Sequence, residues 1–113
     1  MIRNLTKKTT VSEKEKTAFN FIDKIFGMIL GRNQEGLIIK TRFGIHTFFM
    51  KRKIDLIVLD KKGIVKIAKT IHPNKIFIWN PLFSKVVELP PGTIIKSKTQ
   101  VGDKLEIYDK ISG

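Results

Sequence analysis

Cysteine is missing from this chain altogether. Its absence excludes disulfides, thiolate zinc centres, iron–sulfur clusters and a cysteine nucleophile. It also suits a reducing compartment. Histidine is nearly missing: only His46 and His72 occur. They stand far apart with no clear third ligand, so no metal and no cofactor is expected. His72 precedes Pro73 and reads as turn material. Long apolar runs are lacking. The best one, from Phe19 to Leu30, contains Asn20, Asp23 and Lys24 and is too short to cross a bilayer. No apolar segment of a secretion signal is visible near the N-terminus. The expectation is a soluble, cytoplasmic protein with no membrane span. The chain also lacks a Walker motif, a dinucleotide fingerprint, a nucleophile elbow and an HExxH helix. Ser12, Ser84, Ser97 and Ser112 have no recognisable base beside them.

What is present is isoleucine and lysine. The 113 residues are 42% hydrophobic and include 18 isoleucines, enough for one domain over residues 1–113 with a modest core. Basic residues number 22 against 10 acidic, for a net charge of +12. Such a charge attracts nucleic acid or an anionic surface. An AT-rich coding bias raises Lys, Ile and Asn together and gives the same balance. Lysines number 18 and arginines four, and the lysines are scattered from Lys7 to Lys110. Proteins that grip bases or phosphates bidentately favour Arg. Non-specific nucleic-acid binding through the lysines therefore ranks as an alternative, not the main reading.

Patterning points to a sheet-rich fold. Ile2 to Leu5 reads as a short strand, and Thr6 to Lys16 as a loop or an edge strand. Phe19, Ile22, Phe26 and Ile29 recur at helical spacing and predict one amphipathic helix over about 18–30. Thr17 is its expected cap and Gly31 its stop. Short strands follow at Leu37–Lys40, Ile45–Met50, Ile54–Leu59, Ile64–Ile71, Ile76–Trp79, Lys85–Leu89 and Lys104–Tyr108. Gly63 is the expected positive-φ residue of the Asp60–Gly63 turn. Thr93 to Lys98 reads as one helical turn. Many strands with close turns and one real helix predict a mainly β, β-rich α+β fold. The architecture expected is a compact antiparallel sandwich or open barrel with one short N-terminal helix.

The central segments read as a hairpin around Lys51-Arg52-Lys53. Pairing Met50 with Ile54 sets Thr47 across from Ile57 and Phe49 across from Asp55. Thr47 and Asp55 then share one face, and His46, Met50 and Leu56 the other. His46 and Asp55 cannot form a dyad in this register, whereas a one-residue slip reunites them. Asp55 is the polar residue least explained by solubility. A carboxylate in a strand apolar on both faces needs a partner: Arg42, Thr47, a nearby Lys or backbone N–H groups. It reads either as a structural carboxylate pinning a loop or as a ligand-binding or catalytic one. Trp79, at the end of Lys75-Ile76-Phe77-Ile78-Trp79, is a small-ligand candidate, since its ring can stack a base or a sugar.

These segments, taken in order, resemble the uncharacterised domain-of-unknown-function family 192. The resemblance rests on Gly27-Met28-Ile29 with Arg32, on Glu35-Gly36-Leu37 and on His46-Thr47-Phe48-Phe49-Met50. It continues through Ile54-Asp55-Leu56-Ile57-Val58-Leu59-Asp60, Val86-Val87-Glu88-Leu89-Pro90-Pro91-Gly92-Thr93 and Val101-Gly102-Asp103. It covers about residues 17–108. Arg52-Lys53 stands where relatives often carry Phe-Pro, so an apolar tip is basic here, and the connection from Arg32 to Gly36 is short. The resemblance implies a β-rich, barrel-like domain with a short helix. Members often follow a secretion signal, which this chain does not show. It brings no catalytic residues.

The functional expectation is a small non-enzymatic binding module for a small molecule, glycan or partner protein. Its candidate binding residues are Arg32, His46, Thr47, Met50, Asp55, Trp79 and Glu88. The alternative is a hydrolase- or lyase-like enzyme using Asp55 with His46, Thr47 or Glu88, which requires those groups to converge on one pocket.

Overall fold

The strand Ile54–Leu59 organises the structure, because its sequence Ile-Asp-Leu-Ile-Val-Leu is buried at every position. A run that is apolar on both faces belongs in the middle of a covered sheet, with neighbours on both edges. The computed structural model describes residues 1–18, 37–40, 44–46, 53–78, 83 and 85–108. In chain order its strands are β1 (Ile2–Asn4), β2 (Thr9–Ser12), β3 (Lys16–Ala18), β4 (Leu37–Lys40), β5 (Gly44–His46) and β6 (Ile54–Leu59). They continue with β7 (Val65–Ile71), β8 (Ile76–Ile78), β9 (Lys85–Leu89) and, after the short helix Thr93–Ser97, β10 (Leu105–Ile107).

These strands form a large sheet in the order β3-β4-β9-β6-β7, a small sheet β10-β1-β2, and the pair β5-β8. The fold is mostly β, as the pattern predicts. The sheets stay open among the described residues, so the barrel-like form implied by the resemblance is corrected: no sheet closes on itself. The small sheet lies over one face of the large one. Ile2, Val11 and Leu105 from the small sheet join Ile38, Ile57, Leu59, Val65, Val87 and Leu89 from the large one in a single buried cluster. Ile94 of the short helix and Ile107 pack against it. Each such side chain contributes roughly 1.5–3 kcal/mol through removal from water.

Two local expectations are overturned. The partners of 54–59 are not those of the expected hairpin. Both edges of β6 are taken, by β7 on one side and β9 on the other, so Ile57 lies across from Ala68 and from Val87, not from Thr47. β5 pairs instead with β8, with His46 across from Ile76. Sequence proximity favoured the hairpin, but pairing on both edges satisfies the backbone groups of a buried central strand, and β7 and β9 supply both partners. Thr17 and Ala18, expected as the cap and start of a helix, lie in β3, which pairs in parallel with β4. Strand pairing here overrides a local propensity of a few tenths of a kcal/mol. That parallel pair also departs from an all-antiparallel sheet. Its connection, residues 19–36, is long enough for the crossover that parallel strands need. The helical stripe at Phe19, Ile22, Phe26 and Ile29 lies outside the described residues.

The Asp60–Gly63 turn forms as expected. Asp60 Oδ1 accepts the N–H groups of Lys62 at 2.8 Å and Ile64 at 2.9 Å. Gly63 adopts φ +82°, and a Cβ there would lie 2.6 Å from the Leu105 carbonyl oxygen. Only glycine allows both the left-handed backbone and that close approach. The Gly63 carbonyl accepts the Leu105 N–H at 2.8 Å, which ties the turn to β10.

Candidate functional site

Asp55 sits in the middle of the large sheet and is only 1% exposed. Thr70, directly across on β7, donates its hydroxyl to Asp55 Oδ1 at 2.8 Å. The Ile94 N–H donates to Oδ2 at 2.8 Å. Ile94 lies in the first turn of the short helix, whose N-cap is Gly92 and has no side-chain cap of its own. Asp55 therefore caps, from another strand, a backbone donor the helix leaves over. It pins the Pro90–Thr93 corner to the sheet. Thr93 Oγ1 closes that corner on the Pro90 carbonyl at 2.7 Å. Of the partners expected for Asp55, a backbone N–H is present. Thr70 was not foreseen, because its proximity depends on the β6–β7 register.

The Asp55 anchor has a defined cost of removal. Asp55→Ala is expected to destabilise by about 2 kcal/mol, because it leaves the part-buried Ile94 N–H without its acceptor. Asp55→Asn should lose only about 1 kcal/mol. Its carbonyl can face Ile94, and its amide can donate to the Thr70 hydroxyl, which also accepts. Urea midpoints of the two variants check this order.

Glu88, 5% exposed, is the second buried acid of the sheet. Pairing places Leu56 opposite Glu88, and Asp55 opposite Leu89. Directly opposed residues share a face and neighbours along a strand alternate. Asp55 therefore points toward the cluster with Ile57, Val87 and Leu89, whereas Glu88 points the other way with Leu56, Val58 and Val86. In the pairing ladder Glu88 lies between Leu37 of β4 and Leu56 of β6, and the same row ends on Lys69 of β7.

A third group of polar residues went unnoticed as a site in the sequence. Asn4, Ser97, Thr99 and Asp103 are all buried. Asn4 Nδ2 donates to Asp103 Oδ2 at 2.9 Å and to Thr99 Oγ1 at 3.1 Å. Lys7 Nζ lies 2.8 and 2.9 Å from the two Asp103 oxygens and 3.0 Å from Gln100 Oε1. The Gln100 N–H donates to Asp103 Oδ2 at 3.0 Å. Ser97 and Thr99 share a hydroxyl–hydroxyl bond of 2.7 Å. Burial opposes ionisation of Asp103. The hydrogen bonds from Asn4, Lys7 and the Gln100 N–H outweigh it and hold the carboxyl below its ordinary range. The cluster joins the first strand to the last, and its partners lie more than ninety positions apart in the chain. The only available signal was Val101-Gly102-Asp103, noted as a resemblance and not as chemistry.

Of the remaining candidates, His46 is placed in β5, and Arg32, Thr47, Met50 and Trp79 lie outside the described residues. His72 is exposed in the turn after β7, as expected. Among the described residues, no three His, Cys, Asp or Glu side chains gather where they could hold a metal ion. Among them, too, no helix is long and apolar enough to cross a membrane.

The arrangement defines a class: a small, open, β-rich domain in which the buried Asp55 and Asp103 brace strands and corners. The particular family follows from comparison. A model of the family DUF192, described as Uncharacterized ACR, matches residues 25–107, and the chain belongs to that family. A UPF0127 protein of Pyrococcus abyssi is 36% identical over 112 residues, covering 94% of this chain and 96% of that protein. One from Pyrococcus horikoshii is 30% identical over 114 residues, covering 96% and 99%. Two crystal structures share the fold. One, a Sinorhizobium meliloti protein described as a candidate transcription regulator, superposes with a TM-score of 0.68 at 17% identity, over 81% of this chain and 79% of that one. The other, a Novosphingobium aromaticivorans protein of unknown function, has a TM-score of 0.65 at 14% identity, over 82% and 74%. The family has no characterised function, and these names add none.

Proposed function

We propose that this domain is a small non-enzymatic binding module. Its ligand is a small molecule, glycan or partner protein, and it does not meet the Glu88 face, where Leu56, Val58 and Val86 are fully buried. The observation supporting this reading is the separation of Asp55 and Glu88 onto opposite faces of one sheet. Acid–base catalysis needs its groups within hydrogen-bond reach of one reacting centre. Two carboxylates on opposite faces do not share one. Asp55 is further committed on both oxygens, to Thr70 and Ile94. The hydrolase- or lyase-like alternative would have to assemble without that pair.

The test has two arms. Chromogenic esters, phosphoesters and glycosides are incubated with wild type, Asp55→Asn and Glu88→Gln. No turnover above buffer is expected from any of them. Turnover in wild type that either variant abolishes overturns the non-enzymatic reading. Wild-type protein labelled with nitrogen-15 is then titrated with monosaccharides, amino acids and donor-rich peptides. Saturable amide shifts confined to one contiguous exposed patch are expected for one class. Shifts that fail to saturate with every class overturn the binding reading.

A further inference from the structure

We infer that the turn between β6 and β7 is a contact point for the phosphate backbone of double-stranded nucleic acid. In sequence the lysines look dispersed. In the fold, Lys61, Lys62, Lys66 and Lys104 meet at one turn. Lys61 and Lys62 are exposed at its tip. Lys66 Nζ lies 3.7 Å from Asp60 Oδ2. Lys104 is brought in by the bridge between Ile64 and Lys104, and its Nζ stands 3.2 Å from where a Cβ on Gly63 would be. Asp60 is the acidic residue of the turn itself. Its Oδ1 already accepts two backbone N–H groups, and its Oδ2 faces Lys66. Four ammonium groups around one internally bonded carboxylate leave a local excess of three positive charges.

The cluster is held in place before any partner arrives. The two bonds to Asp60, the left-handed Gly63 and the Gly63–Leu105 backbone bond fix the turn. Lys66 is further held over the Phe83 ring, 5.9 Å from its centroid. A preformed group of cations releases counterions from DNA when it binds, and each neutralised phosphate adds about 0.9 to the salt slope. Lysine acts as a point charge without the planar fork that reads bases, so the contact positions without specifying sequence. Firm binding to an anionic membrane combines charge with exposed apolar anchors beside it. Here Leu59 and Val65 are fully buried and Ile64 is half-buried, and among the described residues the one exposed apolar side chain on the adjoining corner is Val101, a single small anchor, which favours nucleic acid. This surface does not depend on the reading above.

The experiment is fluorescence anisotropy with a labelled 20-base-pair duplex at several salt concentrations. It compares wild type with the triple variant Lys61→Gln, Lys62→Gln, Lys66→Gln. A charge-matched control carries Lys14→Gln, Lys96→Gln, Lys98→Gln, on the loop after β2 and around the short helix. Far-ultraviolet circular dichroism confirms that all three are folded. Between 50 and 200 mM salt, wild type and control should each lose about forty times more affinity than the turn variant, since three phosphate contacts at a slope of about 0.9 each are missing from it. Equal salt dependence in the turn variant and the control overturns the inference, because the charge then acts diffusely. So does wild type that binds phosphatidylserine vesicles through these lysines but does not bind the duplex.

Discussion

Asp103→Ala is expected to cost about 3 kcal/mol and to lower the melting temperature by about 10 °C. Asp103 is 4% exposed and receives bonds from Asn4, Lys7 and the Gln100 N–H. Removing it leaves the buried Asn4 amide short of an acceptor and takes away the carboxylate partner of Lys7. The buried Asn4 amide stays desolvated without its acceptor, which costs more than the bond itself contributes, whereas the partly exposed Lys7 can turn to water. The loss should be cooperative across the molecule. The same carboxylate ties β1 to the Gln100–Lys104 corner, and that corner accepts the Val65 N–H through the Asp103 carbonyl at 2.9 Å.

The pH dependence has a definite sign. The folded Asp103 carboxyl lies below its ordinary value of 3.8 despite burial, because its hydrogen bonds favour the charged form. A lowered folded value contributes stability that is complete above the unfolded value and lost as pH falls through the folded one. Wild type should therefore weaken on acidification below about pH 4, and Asp103→Asn should weaken less. Asp60 adds a smaller acid-sensitive part. Slight burial opposes its charge, but the N–H groups of Ile64 and Lys62 and the charges of Lys66 and Lys62 lower its value. Urea unfolding of wild type and Asp103→Asn at pH 7 and pH 2.5 makes the comparison. A stability gap of the same size at both values would contradict an ionised, hydrogen-bonded Asp103.

Leu56→Ala is the second large effect, at about 3 kcal/mol. Leu56 is fully buried in the central strand, opposite Glu88 on one side and Lys69 on the other. Flanking strands hold the backbone in place on both edges, so the sheet cannot collapse into the space a lost side chain leaves. The cost then includes a cavity as well as lost transfer energy. The expected signature is a lower urea midpoint with an unchanged m-value, because the variant still exposes the same surface on unfolding. An unchanged midpoint would refute the central place of β6.

Local chemistry was legible where it is short-range. The Asp60–Gly63 turn, the strand at Lys85–Leu89, the helical turn after Pro90-Pro91-Gly92 and the last strand were all readable. Each depends on side-chain alternation or on a residue that alone tolerates its backbone angle. The hairpin around Lys51-Arg52-Lys53 was misread because adjacency in sequence is weak evidence when a strand is apolar on both faces. Such a strand accepts any apolar neighbour, and β9 lies more than twenty residues further on. Thr17 and Ala18 were misread because a cap residue and a good helix former also fit a short edge strand.

Composition and alternation alone determined a β-rich chain without thiol chemistry, with one carboxylate, Asp55, stranded in an apolar strand. Those properties are written in side-chain type and in a two-residue period. Only the tertiary structure decided that Asp55 and Glu88 face opposite ways, that Asn4 and Asp103 meet, and that Lys104 joins Lys61, Lys62 and Lys66. Such pairings depend on strand order and register. These arise from the whole set of surfaces competing for burial, and no window of neighbouring residues contains that information.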